Sequence, residues 1–367
     1  MAKAVKITII ALASLLTLFL LMVGYLSVGR ANDKVLHKVH LRRLETIYED
    51  GHTPLDDSVF ADFDPATSRV RFNDIRMLAT HNSYKKTGSD LGKLLIGLGD
   101  SFEMADALKY GYNDLTSQLD SGIRSMEWDV RLRRGRFELT HVPLVDSKSV
   151  APVMELALEE ISLWSENNPA HLPLVILIEI KTDWMVLDPF LQDITDDDLG
   201  DLDDMVDDVL GDALLTPSDL MAEGLTLMET VTGQGWPMVK DMLGKVAVVL
   251  HPSPFTEPYV NLDPTLQSQA MFPAVYDDAT DKPHAAFVIH NDPVVEHIRA
   301  LVDRGFVVRT RIDTDLVFKP EAFDDAIRSG AQILSSDFTI GRSDLDSDHM
   351  ISFEGGLTVT MITREET

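Results

Sequence analysis

Eight short apolar runs, at residues 75–80, 122–130, 137–141, 174–181, 245–250, 285–290, 306–311 and 331–335, set the plan of this chain, and helical patterns separate most of them. A strand, a helix and a further strand form a right-handed parallel unit, and eight such strands close a cylinder. The spacing therefore predicts an α/β fold with a single TIM-type (β/α)8 barrel over residues 71–345, a size at which such a barrel forms one domain. One departure is expected. The link between the second and third runs, Arg133-Arg134-Gly135, is too short for a helix.

Several runs carry polar residues where core is expected. Polar groups at the ends of buried strands cost stability unless they are used, and barrel enzymes place their chemistry at the C-terminal strand ends. His81 and Asn82 follow the first run, Glu127 and Asp129 lie in the second, His141 ends the third, and Glu179 and Lys181 lie in the fourth. Residues two apart on a strand share a face. Glu127 and Asp129 should thus emerge together with Trp128 opposite, and Arg309 and Arg311 should share a face of the seventh strand.

Asn82, Glu127, Asp129 and Glu179 offer one amide oxygen and three carboxylates. Calcium takes about six to eight oxygens, so water and a substrate oxygen would complete its shell; magnesium or manganese fits the same donors less comfortably. Three carboxylates converging without a cation would repel one another. Each residue has a bland alternative: a loop histidine, a solvated strand end, an ion pair between Glu179 and Lys181. At the ends of four successive strands they form a candidate active site.

The N-terminus must be set aside from the fold. Lys3 and Lys6 precede an uncharged run over residues 7–29, ended by Arg30. As a helix it spans roughly 35 Å, enough to cross a hydrocarbon core of about 30 Å. It exceeds the usual signal-peptide core of about 7–15 residues, which favours an uncleaved anchor; a cleaved signal ending at Ser27-Val28-Gly29 is the alternative. Lys3 and Lys6 favour an inside N-terminus and an exported barrel, membrane-anchored or, if cleaved, secreted. Residues 31–70 are expected as a linker with a short helix over 35–48, and residues 346–367 as a tail.

The chain has no cysteine, which excludes thiol catalysis and thiolate metal sites, and its formal charge is −28. With no basic stripe to meet phosphates, nucleic-acid binding is excluded, as is docking to anionic lipid through a polybasic face. The aspartate-rich stretch 193–212 lacks the register of a calcium-binding loop. Its apolar residues Leu199, Leu202, Met205, Val209 and Leu210 recur at near-helical spacing, so an acidic surface helix is expected. The apolar, glycine-rich segment 91–99 would lean either on a bilayer or on the barrel.

Thr80-His81-Asn82-Ser83-Tyr84, the run from Leu115 to Arg124 leading into Glu127-Trp128-Asp129, and His141 resemble the phosphatidylinositol-specific phospholipase C superfamily, in its bacterial calcium-dependent branch. The likeness continues through Leu215-Thr216-Pro217, Gly235-Trp236-Pro237, Gly244-Lys245-Val246, Arg309-Thr310-Arg311 and Gly330 to Asp337, covering roughly residues 70–340. It implies an α/β barrel, one calcium ion and a phosphodiester opened by an adjacent hydroxyl of the head group. Position by position, Asn82, Glu127, Asp129 and Glu179 match the calcium ligands, and His81 and His141 the two catalytic histidines. Lys181, Arg309 and Arg311 would suit phosphate or head-group contacts, or equally barrel-lining ion pairs. The implied substrate is phosphatidylinositol or a related glycerophospholipid. Glycerophosphodiesterase and phospholipase D-like barrels usually show Arg after the first histidine, where this chain has Asn82. A non-catalytic exported binding protein would be expected to have lost a histidine or acid, and none is lost.

Overall fold

The computed structural model describes residues 2–345 and 349–363. Helix α1 (Ala2–Glu49) leads to β1 (Ile75–Thr80), three short helices α2 (Asp90–Gly99), α3 (Phe102–Ala107) and α4 (Leu115–Asp120), and the long strand β2 (Ser125–Arg133). There follow β3 (Phe137–Leu139), α5 (Met154–Asn167), β4 (Leu174–Ile180), β5 (Leu191–Gln192), α6 (Asp196–Leu210), β6 (Leu214–Leu215), α7 (Pro217–Leu220), α8 (Leu227–Gly233) and β7 (Val246–Leu250). The second half runs through α9 (Thr256–Val260), β8 (Phe272–Pro273), β9 (Val275–Tyr276), β10 (Phe287–Ile289), α10 (Val295–Asp303) and β11 (Val307–Arg311). A small hairpin, β12 (Asp313–Thr314) and β13 (Val317–Phe318), precedes α11 (Pro320–Ser329), β14 (Ile333–Ser336) and β15 (Val359–Met361).

Parallel ladders join β14, β1, β2, β4 and β7 on one side and β14, β11 and β10 on the other. β8 pairs with β7 and β9 with β10, both in parallel, so the run from Phe272 to Tyr276 bridges the gap and closes the ring. That run is the fifth stave, and its two pairs of residues are too short to announce themselves as a strand. The third expected stave, 137–141, is not one. β3 pairs antiparallel with β2 and is the return arm of a hairpin, because the turn at residues 133–136 leaves no length for a crossover. The ring thus has eight staves, seven of them those expected.

Alternation along β2 separates two layers. Met126, Trp128, Val130 and Leu132 pack outward with Ala157, Leu158 and Ile161 of α5 and Leu199, Leu202 and Val206 of α6, while Glu127 and Asp129 point inward. The acidic stretch is the amphipathic helix expected, though Met205 and Val209 are only partly buried. Below the inward acids, Ala79, Val175, Leu177, Val249, Phe287 and Ile333 fill the barrel, as side chains do in cylinders of this size. Gly122, just before β2, has φ +93°, and a Cβ there would fall 2.5 Å from the Phe60 ring; the position admits only glycine without displacing that ring. Arg124, two residues on, is wholly buried and grips both oxygens of Asp57.

The expected break between an anchor and a separate short helix is absent. α1 is continuous for 48 residues, because nothing between Val28 and Val35 stops a helix and Gly29 is tolerated. From Leu26 onward its inner face is seated on the barrel. Leu41 and Leu44 are buried, Arg30 and Lys34 both pair with Glu138, and His37 and His40 both reach Glu160 at 2.8 and 3.2 Å. The C-terminal segment expected as a tail returns, and its Val359–Met361 pairs antiparallel with β1; residues 346–348 and 364–367 lie outside the described residues.

Candidate active site

The turn after β1 carries the first half of the site. Thr80 and Ser83 share a hydroxyl hydrogen bond of 2.6 Å, and Ser83 exchanges hydrogen bonds with the Glu127 backbone, accepting at Oγ from the amide and donating its own amide to the carbonyl, both at 3.0 Å. The turn is thereby sewn to β2. Asn82 takes φ +53°, a left-handed conformation that asparagine tolerates. Its Nδ2 donates to the Tyr110 hydroxyl at 2.9 Å, which leaves Oδ1 turned toward Tyr84. The Tyr84 hydroxyl lies 3.5 Å from that oxygen and donates to Asp129 Oδ2 at 3.0 Å, so the Asn82 and Asp129 oxygens converge on one phenol.

His81 stands at the rim. Its Nδ1 lies 2.8 Å from Asp337 Oδ1, and its Nε2 lies 3.8 Å from Glu127 Oε1. An aspartate accepting from Nδ1 fixes the tautomer in which Nε2 carries the lone pair. Burial works against the Asp337 carboxylate, but His81, with Arg311 3.7 Å away and Arg342, holds it below the usual range.

The three inward acids are each partnered. Glu127 receives Arg309, whose other nitrogen donates to Asn291 at 2.5 Å. Burial would push the Glu127 carboxyl up; Arg309, with His81, His251 and Arg311, overrides it and holds it far below the usual range. Lys181 sits between Glu179 at 2.8 Å and Asp129 at 3.7 Å, and despite burial those two acids raise its ammonium well above the usual value. Asp129 remains short of positive charge. Burial pushes it above the usual carboxylate value, Lys181 and His141 oppose, and Glu179 and Glu127 add to the rise. An amide oxygen and three carboxylates at one mouth are the donor types that suit a hard divalent cation, and Arg309 and Lys181 stand among the acids. Sequence reading also missed His251, at the end of β7, whose buried imidazole is pushed down despite Glu179 and Glu127.

His141 lies two residues past β3, in a loop rather than on a stave. Its Nδ1 is 3.5 Å from Asp146 Oδ2, which is itself 3.3 Å from the wholly buried Lys85. Burial opposes the Asp146 carboxylate, and Lys85 and His141 hold it below its usual value. Arg131, inward on β2, donates to the backbone carbonyls of Thr140, His141 and Asp183 at 3.2, 2.8 and 2.6 Å, and so clamps the His141 loop to the loop after β4.

Both histidines open into one cavity of about 580 Å³, together with Arg311 and Asp337. Most of its remaining wall is apolar, with Leu95, Ile96, Met104 and Leu108 from α2 and α3 and the turn that follows, Val142 and Leu144, Trp184 and Leu187, and Phe19 and Met22 of α1, and it also holds Asp100, Tyr110, Asp183 and Asp315. An apolar rim was not legible in the sequence, since these residues come from four separate segments. Segment 91–99 lies within α2, where Ile96 is buried with Ala105 and Leu108 against Val142 and Val145, and Leu94 and Leu98 are exposed. Glu179 and Lys181 border a second depression of about 630 Å³, of mixed polar and apolar lining, that shares Asp183 with the first.

Of the nine expected site residues, His81, His141 and Arg311 line the first hollow and Glu179 and Lys181 the second, while Asn82, Glu127, Asp129 and Arg309 are joined to them by the contacts above. Asp337 and Asp146, which hold the two histidines, were not singled out. Asp337 lies two residues past the last apolar run and could have been found by the strand-end rule; Asp146 sits in a loop with no signal.

The sequence matches the profile of the family described as "Phosphoinositide phospholipase C, Ca2+-dependent" over residues 131–361. That span contains Arg131, His141, Glu179, Arg309, Arg311 and Asp337 and begins after His81, Asn82, Glu127 and Asp129. Among solved structures, the chain is similar to a calcium-dependent phosphoinositol-specific phospholipase C from a Pseudomonas species. Its myo-inositol complex is 19% identical with a TM-score of 0.59, covering 84% of this chain and 99% of that one. An enzyme from Streptomyces antibioticus, titled a Ca2+-dependent phosphatidylinositol-specific phospholipase C, is 18% identical with a TM-score of 0.54, covering 73% and 95%. At such identities the likeness is one of fold. No curated protein matches the sequence.

Proposed function

Because this chain belongs to the Ca2+-dependent phosphoinositide phospholipase C family, it is a phosphoric diester hydrolase, and we propose that it cleaves phosphatidylinositol or a closely related glycerophospholipid on the glycerol side of the phosphate, in a membrane crossed by its N-terminal helix. The observation that carries this reading is the cavity itself: two histidines, each backed by a buried aspartate, open into a largely apolar hollow beside the depression that Glu179 and Lys181 border.

In this reading His81 accepts at Nε2 the proton of the inositol 2-hydroxyl, and the Asp337 carboxylate stabilises the imidazolium through Nδ1. The hydroxyl oxygen forms a bond to phosphorus as the bond from phosphorus to the glycerol oxygen breaks. His141 delivers a proton to that leaving oxygen, giving diacylglycerol and a cyclic inositol phosphate. Arg311, beside His81, meets the phosphate charge. Asn82, Glu127, Asp129 and Glu179 would hold one calcium ion, which when bound offsets phosphate charge and lowers the pKa of the attacking hydroxyl. Arg309 is a structural partner of Glu127 rather than a head-group contact, since both ends of its guanidinium are engaged.

The test is product analysis of the full chain in mixed micelles of phosphatidylinositol or phosphatidylcholine, with calcium or with a chelator. Diacylglycerol together with cyclic inositol phosphate, formed only from phosphatidylinositol and only with calcium, is the expected result. Equal turnover of phosphatidylcholine, or turnover indifferent to chelation, would overturn the reading.

A further inference from the structure

α1 changes character at one level along its length. Residues 5–21 are exposed on every side, whereas from Met22 the helix carries a stripe against the barrel: Leu26, Arg30, Asp33, His37, Leu41 and Leu44 are all buried, at steps of three or four. The stripe is fixed by charge as well as by packing. Glu138 receives Arg30 and Lys34, Glu160 receives His37 and His40, and Asp33 receives Lys86 at 3.3 Å. The segment after Met22 is therefore locked to the body, and no hinge separates it from the apolar segment before Met22.

That level coincides with the mouth of the cavity, because Phe19 and Met22 form part of its wall beside His81 and His141. Lys6 precedes Met22 by roughly 24 Å and Lys3 by roughly 29 Å along a helix rising 1.5 Å per residue, close to a hydrocarbon thickness of about 30 Å. With the two lysines at one membrane face, the cavity lies at the other. Leu94, Leu98, Phe102, Trp184 and Val186 are exposed on the segments that line the cavity, beside its acidic residues Asp100, Asp183 and Asp315.

We propose that α1 is a strut and not a tether: it presses the barrel mouth onto the surface of the bilayer it spans, and its Phe19 and Met22 form one wall of the pocket that receives the glycerol and first acyl carbons of a lipid from that same bilayer. This rests on the lipid reading given above and adds to it. A lipid drawn partway out of its leaflet passes from hydrocarbon onto an apolar wall, so its acyl chains are never exposed to water. A flexible tether would leave the barrel free to turn its mouth away.

Trp184 provides a readout that needs no activity. It is 49% exposed, while Trp128, Trp164 and Trp236 are fully buried. The full chain would be reconstituted into vesicles whose acyl chains carry bromine, which quenches indole emission on contact, with Trp184→Phe as the control for the buried indoles. A companion variant carries a flexible glycine-serine insertion between Val28 and Gly29, which keeps the membrane span and the barrel but breaks their rigid connection. The strut predicts strong loss of Trp184 emission in the parent chain, most of it regained in the insertion variant, and a matching loss of turnover on vesicle phosphatidylinositol. An unquenched parent chain, or equal quenching with and without the insertion, overturns the proposal. If the parent chain is quenched but cleaves no phosphatidylinositol in vesicles or in micelles, the substrate reading fails and the strut stands.

Discussion

A single backbone angle at Asn82 decides how the first half of the site is presented. The left-handed turn there swings His81 out to Asp337 while the amide beside it turns back toward Asp129. The two histidines differ in their support. His81 is held by a close carboxylate, whereas His141 is held at longer range by an aspartate that also answers Lys85. General acid catalysis contributes roughly 10²- to 10⁴-fold, so His141→Ala should lower kcat by about that much while calcium affinity and thermal stability stay near those of the parent. Undiminished kcat would remove His141 as the acid. Glu127→Gln carries two consequences, because Glu127 is both a candidate ligand and the partner of Arg309. Calcium titration should show weakened affinity, and removing one member of a buried pair should cost about 3–5 kcal/mol of stability. An unaltered titration would sink the ligand assignment, whatever the stability shows.

Among the elements, α1 is attached by groups that titrate. Burial opposes the Glu160 carboxylate, but His37 and His40 hold it down to about 2, and its usual value is 4.5. Its contribution is therefore full above 4.5 and is lost as pH falls through about 2. His40 is raised from its usual 6.5, Glu160 outweighing burial. Its contribution is present below 6.5 and is lost as pH rises past the raised value. The contact between α1 and α5 should accordingly be tightest between about pH 4.5 and 6.5. Amide-exchange protection over residues 30–44, corrected for intrinsic rates, should peak in that window and decline on both sides. A flat profile from pH 4 to pH 8 would remove the histidine pairing as a source of docking. β3 makes a different point at this scale. Alternation and apolar content made residues 137–141 read as a stave, yet the chain had only a tight turn in which to return, and a tight turn permits only antiparallel pairing.

At the scale of the molecule, closure of the ring depends on the run from Phe272 to Tyr276, whose two-residue ladders acquire meaning only once β7 and β10 are in place beside them. The same holds for Val359–Met361, which joins β1 from the far end of the chain. The rim of the cavity is likewise assembled from α1, α2, α3 and the loops after β3 and β4. Each contributes a few apolar residues that mean nothing alone. Acidity is distributed differently, since α6 takes much of it to the surface while the inward acids of β2 and β4 are answered by Arg309 and Lys181.

By itself the sequence determined what depends on short-range periodicity: seven of the eight staves, the amphipathic acidic helix, the membrane-length apolar run, and the acids of β2 and β4 with His81 after β1. Alternation of period two fixes which side chains face inward before any tertiary contact forms, which is why Glu127 and Asp129 could be paired on one face from spacing alone. Tertiary structure decided what depends on residues distant in the chain. His81 meets Asp337 across 256 positions, Glu127 meets Arg309 across 182, and Glu138 meets Arg30 across 108. No local pattern encodes such pairings, because the geometry that makes them favourable exists only after the ring has closed and α1 has docked on it.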